Sequence, residues 1–302
     1  MTLGDLLRIN PGEPVNLAAI DTRGTPGLPE RKSVRKDPKA WAARQLIDVR
    51  QRLATHQEQL YATAKVGAGR ARVLLVLQAM DCGGKDGTIK RVAGSMNPQG
   101  LSITAFGKPT EEELAHDFLW RIRRALPEPG YVGMFNRSHY EDVLVVRVRE
   151  LVPRTVWGRR YNQINRFEHQ LVADGIRLVK VMLHISFREQ SERLAQRLAD
   201  PTKYWKFNPS DIDERERWSD YQAAYAEAFH RCSTPAAPWY VVPADQKRYR
   251  DWAVSSLLAE SLESLDLHYP PADFDIEEQR RRLSESDKAG PGPAVPAFGP
   301  AA

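Results

Sequence analysis

The run Arg72-Val-Leu-Leu-Val-Leu-Gln78, followed at once by Ala79-Met-Asp-Cys-Gly-Gly-Lys-Asp-Gly-Thr-Ile-Lys90, constrains the chain more than any other segment. A short, continuous apolar run with β-branched members is the pattern of a strand covered on both faces, as in a parallel sheet. Glycines with Lys85 then stand where the strand must turn into a helix. Glycine lets backbone N–H groups approach phosphate oxygens, the helix start adds favourable dipole charge, and the lysine supplies a point charge for terminal phosphates. Gly83, Gly84, Lys85, Asp86, Gly87 and Thr88 are therefore the candidate phosphate cradle, with Lys85 facing the surface. Two positions depart from the standard P-loop: Ala79 replaces the first glycine, and Asp86 replaces the Ser/Thr that normally holds magnesium. Both weaken an ordinary ATPase reading. Asp81 and Asp86 beside a phosphate site also call for a divalent cation to offset their repulsion, so Mg2+ is the expected cofactor. The bland alternative is a glycine-rich turn with a surface lysine. A buried strand before it and a helical pattern after it favour the cradle.

Further strand candidates are Leu101 to Ala105, Tyr131 to Phe135, Ile176 to Ile185 and Trp239 to Val242, each followed by a helical stretch starting near Glu111, Ser138, Arg188 and Asp245. Strands alternating with helices predict an α/β fold with a parallel sheet. Apolar residues on a polar background from Pro38 to Lys65 suggest one long helix. Residues 1–40, rich in proline and carrying the basic run Lys32 to Lys36, read as an N-terminal arm before a main domain over 41–270. The charged stretch 201–218 reads as a mobile cover over a site, and the Pro/Gly/Ala-rich 285–302 as a disordered tail.

The second informative segment is Tyr131-Val-Gly-Met-Phe-Asn-Arg-Ser-His-Tyr-Glu-Asp142. Ligands of open parallel sheets sit beyond the carboxyl ends of the strands, so Asn136, Arg137 and Glu141 should share a crevice with Lys85. Arg137 is either a bidentate clamp on a phosphoryl group or a structural partner of Glu141 or Asp142. His139 reads as a packing or hydrogen-bonding residue, because phosphoryl transfer relies on positioning and electrostatics. Basic residues recur at Arg121, Arg123 and Arg124, at Lys203 and Lys206, and at Lys247, Arg248 and Arg250; such runs are usually solvated faces. Lys90 and Arg91 lie about one helical turn beyond the loop, where a phosphate chain longer than a nucleotide's would continue across them.

Of 302 residues 42% are apolar, which suffices for a large core and excludes a wholly disordered chain. Lysine and arginine exceed aspartate and glutamate by 44 − 39 = 5, a modest hint of an anionic partner. No run of about 18 apolar residues occurs, and acidic Asp5 stands where a secretory leader would be basic, so the expectation is a cytoplasmic protein that does not engage membranes. Cys82 and Cys232 are expected as reduced thiols.

Leu77-Gln-Ala-Met-Asp-Cys-Gly-Gly-Lys-Asp-Gly-Thr-Ile-Lys-Arg91, Asn97-Pro-Gln-Gly100, His116-Asp-Phe-Leu-Trp-Arg121, Phe135-Asn-Arg-Ser-His-Tyr-Glu141 and Trp239-Tyr-Val-Val-Pro-Ala-Asp245 together resemble the type 2 polyphosphate kinase family. These are P-loop enzymes of the thymidylate kinase kind that move phosphoryl groups between inorganic polyphosphate and nucleotides. The resemblance spans roughly residues 6 to 270 in order. It implies that Asp81 and Lys85 belong to the catalytic phosphate loop, with Asp81 near magnesium or the attacking phosphate. It further implies that Arg137 is the second-motif arginine and that 203–217 is a lid, with Lys206 among the polyphosphate contacts and Asn136, Arg137 and Glu141 on the nucleotide. The Phe-Asn-Arg-Ser-His-Tyr-Glu form is similar to the subgroup acting on both AMP and ADP, and Cys82-Gly83 departs from the small residues common in the family. Homo-oligomers are implied as well. The rivals are an ATP-dependent nucleoside monophosphate kinase, which needs no basic track beyond its nucleotide, and a non-catalytic nucleic-acid-binding module. The latter ranks last because only Trp120, Tyr204 and Trp205 accompany the basic clusters.

Overall fold

A computed structural model describes residues 1–29 and 36–290, so most of the basic run Lys32 to Lys36 lies outside the described residues. Five parallel strands form one sheet in the order β2-β3-β1-β4-β5. They are β1 (Arg72–Gln78), β2 (Leu101–Ala105), β3 (Val132–Asn136), β4 (Ile176–His184) and β5 (Trp239–Pro243). The continuous apolar run of β1 is explained by its two covered faces. Val73, Leu75 and Leu77 pack with Leu53 and Leu60 of the Pro38–Lys65 helix and with Val254, Leu257 and Leu258 of the Lys247–Glu263 helix. Leu74 and Val76 point the other way, among Phe167 and Leu171 of the Arg154–Ala173 helix. All five of these β1 residues are fully buried. Each such leucine contributes about 1.5–3 kcal/mol of burial.

The long helix begins at Asp37, whose carboxylate accepts from Ala40 N at 2.8 Å with proline in the first turn. It is clamped to the Lys247–Glu263 helix by Arg52, which donates from Nε and Nη2 to Glu263 at 2.6 and 2.8 Å. The N-terminal arm is laid along the core: Leu3, Leu7 and Leu17 are buried, and Ile9 N donates to Trp239 O at 2.8 Å. Helical stretches expected after β2 and β3 are short, Glu111–Leu114 and the 3-10 turn His139–Asp142. The charged cover holds a 3-10 turn at Pro201–Lys206 and a helix at Ser210–Glu216.

Contacts divide the chain into Met1–His268 and a second unit from Tyr269 on. Over 285–289 the expectation of disorder needs correction: a helix runs through Ile276–Ala289. Asp275 caps it by accepting from Glu277 N and Glu278 N, and Arg281 bonds to Glu278 and Glu285, one turn away on either side. Residues 291–302 lie outside the described residues.

Candidate active site

Strands β1 and β3 pair in the register Leu77↔Asn136, and Arg137 N donates to Leu77 O at 3.0 Å. The loop leaving β1 and the segment leaving β3 therefore meet at the carboxyl edge of the sheet. Gly83 N closes the loop onto Met80 O at 2.9 Å. A Cβ at Gly83 would lie 2.3 Å from that of Ala79, and one at Gly84 (φ 102°) would lie 2.0 Å from Arg250 Nη1. Glycine is required at both. Cys82 and Arg137 hold left-handed backbone, φ 62° and 64°, without being glycine. Such strain, of order 1–3 kcal/mol, collects at ligand clamps.

Sequence reasoning placed Lys85 at the surface, and the structure corrects this. Lys85 is only 9% exposed, folded back so that Nζ donates to Ala79 O at 3.0 Å. Burial, then the nearby Arg137 charge, pushes its pKa down against the pull of Asp81, Glu141 and Asp86. The second segment meets the loop twice: Arg137 Nη2 donates to Asp81 Oδ1 at 3.0 Å, and Asn136 Nδ2 donates to Asp86 Oδ1 at 2.6 Å. Arg137 thus pairs with Asp81, whereas Asp142 pairs with Arg160 at 2.9 Å. Glu141 accepts from Gln78, at 3.0 Å in the amide orientation that satisfies both of its atoms. Burial raises the Glu141 pKa, opposed by Arg137 and Lys85. His139 is fully buried, its Nε2 3.2 Å from Glu168 Oε1.

Two adjoining cavities share Asp81, Arg137, Asn208 and Asp211. The smaller, about 180 Å³, is lined by Glu141, Leu144, Val145, Glu214, Tyr221 and Tyr225. The larger, about 700 Å³, follows the loop from Asp81 to Gly87 and is walled by Arg193, Arg197, Lys203, Lys206, Lys247 and Arg250. With Lys85 and Arg137 that makes eight cations against the carboxylates Asp81, Asp86 and Asp211. Lys247 and Arg250 register the crowding. Burial, then Arg193, pushes Lys247 down, and burial leads the depression of Arg250, to which Arg193 and Arg91 add. A polyanion would relieve both.

Lys206 stands in this wall, but Lys90 and Arg91 do not. The Lys85–Ala93 helix turns Thr88, Ile89 and Val92 inward, which leaves Lys90 and Arg91 exposed outside the cleft lining. The segment 201–218 is held to the Phe187–Ala199 helix by Arg197 Nη1, which donates to Lys206 O at 2.7 Å and Asp211 Oδ2 at 3.2 Å. Gln190 bridges that segment and the loop, accepting from Arg215 at 3.0 Å and donating to Asp81 O at 3.0 Å. Gln190, Arg193, Asp211, Tyr221 and Tyr225 were missed by sequence reasoning, and Lys247 and Arg250 were read as a solvated face. The available signal was position: all segments leaving strand ends of a parallel sheet converge on one crevice.

Among the described residues no three His, Cys, Asp or Glu side chains group to hold an ion alone. Asp81 and Asp86 at the loop nevertheless fit a hard cation that takes most of its oxygen ligands from phosphate and water. Cys82 is buried and unpaired by disulfide, and burial pushes its thiol up to about 11. At pH 8 its thiolate fraction falls about two orders of magnitude below that of a free cysteine. Alkylation by iodoacetamide, followed by mass spectrometry, should be slower by that factor in the folded protein and normal in urea. Among the described residues no helix is long and apolar enough to cross a membrane.

Residues 38–269 match the family model described as polyphosphate kinase 2. The chain is 48% identical over 242 residues to an AMP/ADP-polyphosphate phosphotransferase of Meiothermus ruber, covering 80% of this chain and 89% of that one. It is 44% identical over 232 residues to an ADP-polyphosphate phosphotransferase of Rhodopseudomonas palustris, covering 73% and 78%. The crystal structure of polyphosphate kinase 2 from Arthrobacter aurescens TC1 superposes with a TM-score of 0.89 at 45% identity, covering 95% of this chain and 98% of that one. A five-stranded parallel sheet with a glycine-rich loop at its carboxyl edge agrees with that match, and the chain belongs to the polyphosphate kinase 2 family.

Proposed function

We propose that this enzyme transfers a phosphoryl group reversibly between inorganic polyphosphate and AMP or ADP. The observation that carries the proposal is the long cationic cleft opening at Asp81 and Arg137 into a compact second cavity. A nucleotide's own phosphates need no such length of positive wall, whereas a phosphate polymer does. The polymer lies along the loop and against Lys203, Lys206, Lys247 and Arg250, and the acceptor phosphate enters beside Arg137 and Glu141. An acceptor oxygen forms a bond to the terminal phosphorus as the bond from that phosphorus to the bridging polymer oxygen breaks. Negative charge on the shortened polymer is held by Lys85 and by the N–H groups opening the Lys85–Ala93 helix. Arg137 releases Asp81 to clamp the transferring group. Mg2+, held by Asp81 with phosphate and water oxygens, would supply further charge neutralisation. The family resemblance implies a homo-oligomer, and light scattering on the purified protein reads its assembly directly.

Donor choice tests the proposal. Purified protein with Mg2+ and AMP or ADP should form product from polyphosphate and little from ATP, and excess EDTA should abolish turnover. Equal phosphorylation of AMP from ATP would replace this reading with an ordinary nucleoside monophosphate kinase, and full turnover in EDTA would remove the metal.

A further inference from the structure

Arg193 sits in the wall of the cationic cleft, yet its bonds set it apart from the other cations there. Nη1 donates to Cys82 O at 2.9 Å and Gly83 O at 3.1 Å. Nη2 donates to Ala244 O at 2.6 Å and Asp245 O at 3.3 Å. Nε donates to Glu189 Oε1 at 2.8 Å, and the residue is only 7% exposed. A guanidinium has five N–H donors, and all five are spent. None remains for a phosphate oxygen.

We infer that Arg193 is a positioning residue that aims the phosphate loop's amides rather than a ligand of the polymer. In a trans peptide the N–H points opposite to the C=O. Holding Cys82 O turns Gly83 N–H back toward Met80 O, to which it donates at 2.9 Å. Holding Gly83 O turns Gly84 N–H away from Arg193, to the side where the helix starting at Lys85 opens its first amides. No side chain caps that helix, so Gly84, Lys85, Asp86 and Gly87 supply its unsatisfied donors. A buried cation on the loop carbonyls also polarises those peptides, strengthening each N–H as a donor. The second pair of bonds fixes the loop to the end of β5, where Ala244 N donates to His184 O at 2.8 Å. The loop's direction is thereby referenced to two strands that lie beyond its own.

This assignment rests on the phosphotransferase reading for its kinetic arm only. Arg193→Met should lower kcat with polyphosphate by about 100-fold, the loss expected when preorganised donors to a developing oxyanion are misaimed. The nucleotide KM should stay within about twofold, and the salt dependence of the polyphosphate KM should keep its slope, because no phosphate contact is removed. Arg193→Lys retains length and charge but has three donors in place of a fork, so it should fail equally, and it serves if Arg193→Met does not fold. Independently of activity, sodium tripolyphosphate added to 15N-labelled protein should shift the Gly84 amide in the parent and leave it nearly unmoved in either variant. A salt slope reduced by about one with kcat preserved would make Arg193 a direct phosphate ligand and overturn the inference. So would a kcat within about threefold of the parent, or an unchanged Gly84 response. A parent inactive with polyphosphate removes the phosphotransferase reading instead, and the amide response then decides on Arg193 alone.

Discussion

Lys85→Ala is expected to lower polyphosphate-dependent turnover by about 10²–10³-fold, equivalent to roughly 3–4 kcal/mol of barrier, while the protein melts as cooperatively as the parent. Kinetics with polyphosphate and ADP, alongside circular dichroism, would check both halves. The size of the loss follows from what the lysine contributes. It is buried beside Asp81 and Arg137 and has one hydrogen bond, to Ala79 O, which it exchanges for phosphate oxygens when the polymer arrives. Its charge is disfavoured in the free protein, by burial first and then by Arg137. That sets a sign. Below its depressed pKa the lysine is protonated in both folded and unfolded chains, and above about 10.4 it is neutral in both. Between those limits the unfolded chain binds more protons, so this group makes the fold more stable as pH rises. Lys85→Met keeps the stem and removes the titration. The difference in stability between parent and variant, measured by urea titration, should therefore shift in the parent's favour as pH rises through that window. A turnover loss under tenfold would take Lys85 out of the transition state.

The residues that determine this behaviour were unequally legible in the sequence. Gly83, Gly84 and Lys85 stood out because a glycine pair and a lysine between a strand and a helix have few other uses. The strands were legible because β1, buried on both faces, cannot alternate. The depth of Lys85 was not, since it depends on Arg137 and Asp81 arriving from other segments. Arg193 lies 111 residues from Cys82, whose carbonyl it holds. In the sequence it is one of three arginines on a charged helix. Nor did strand order follow from chain order, because β1 lies between β3 and β4 and only packing decides which crossovers fall on which side. The Ile276–Ala289 helix was passed over for want of an apolar stripe, although Glu278, Arg281 and Glu285 at spacings of three and four carried its signal.

Lys180 was hidden in the same way, inside the otherwise apolar run of β4, and its replacement should produce a large stability loss. Lys180 and Glu168 are 0% and 1% exposed, and Nζ donates to Glu168 Oε2 at 2.6 Å. Its other two protons go to Tyr140 Oη at 2.9 Å and Cys232 O at 2.7 Å, so the ammonium is saturated. Glu168 Oε1 in turn accepts from Tyr140 Oη at 2.9 Å and lies 3.2 Å from His139 Nε2. The network therefore braces the segment that carries Arg137 and Glu141. Lys180→Met leaves Glu168 in the core without its ammonium partner, which costs about 3–5 kcal/mol; Glu168→Leu strands the lysine at a similar cost. The double variant Lys180→Met/Glu168→Leu removes both charges and should be less destabilised than the sum of the singles by at least about 2 kcal/mol. Burial alone would raise the Glu168 pKa, but Lys180 and His139 outweigh it and the net direction is down. The sign of the pH dependence follows: the pair's stabilisation is fully present above about pH 4.3, the unfolded value for glutamate, and is lost as pH falls through the lower folded value. Urea titrations of the four proteins at pH 7, and at a series of pH values descending well below about 4.3, check both effects. Additive single variants at pH 7 would show that Lys180 and Glu168 are not energetically coupled.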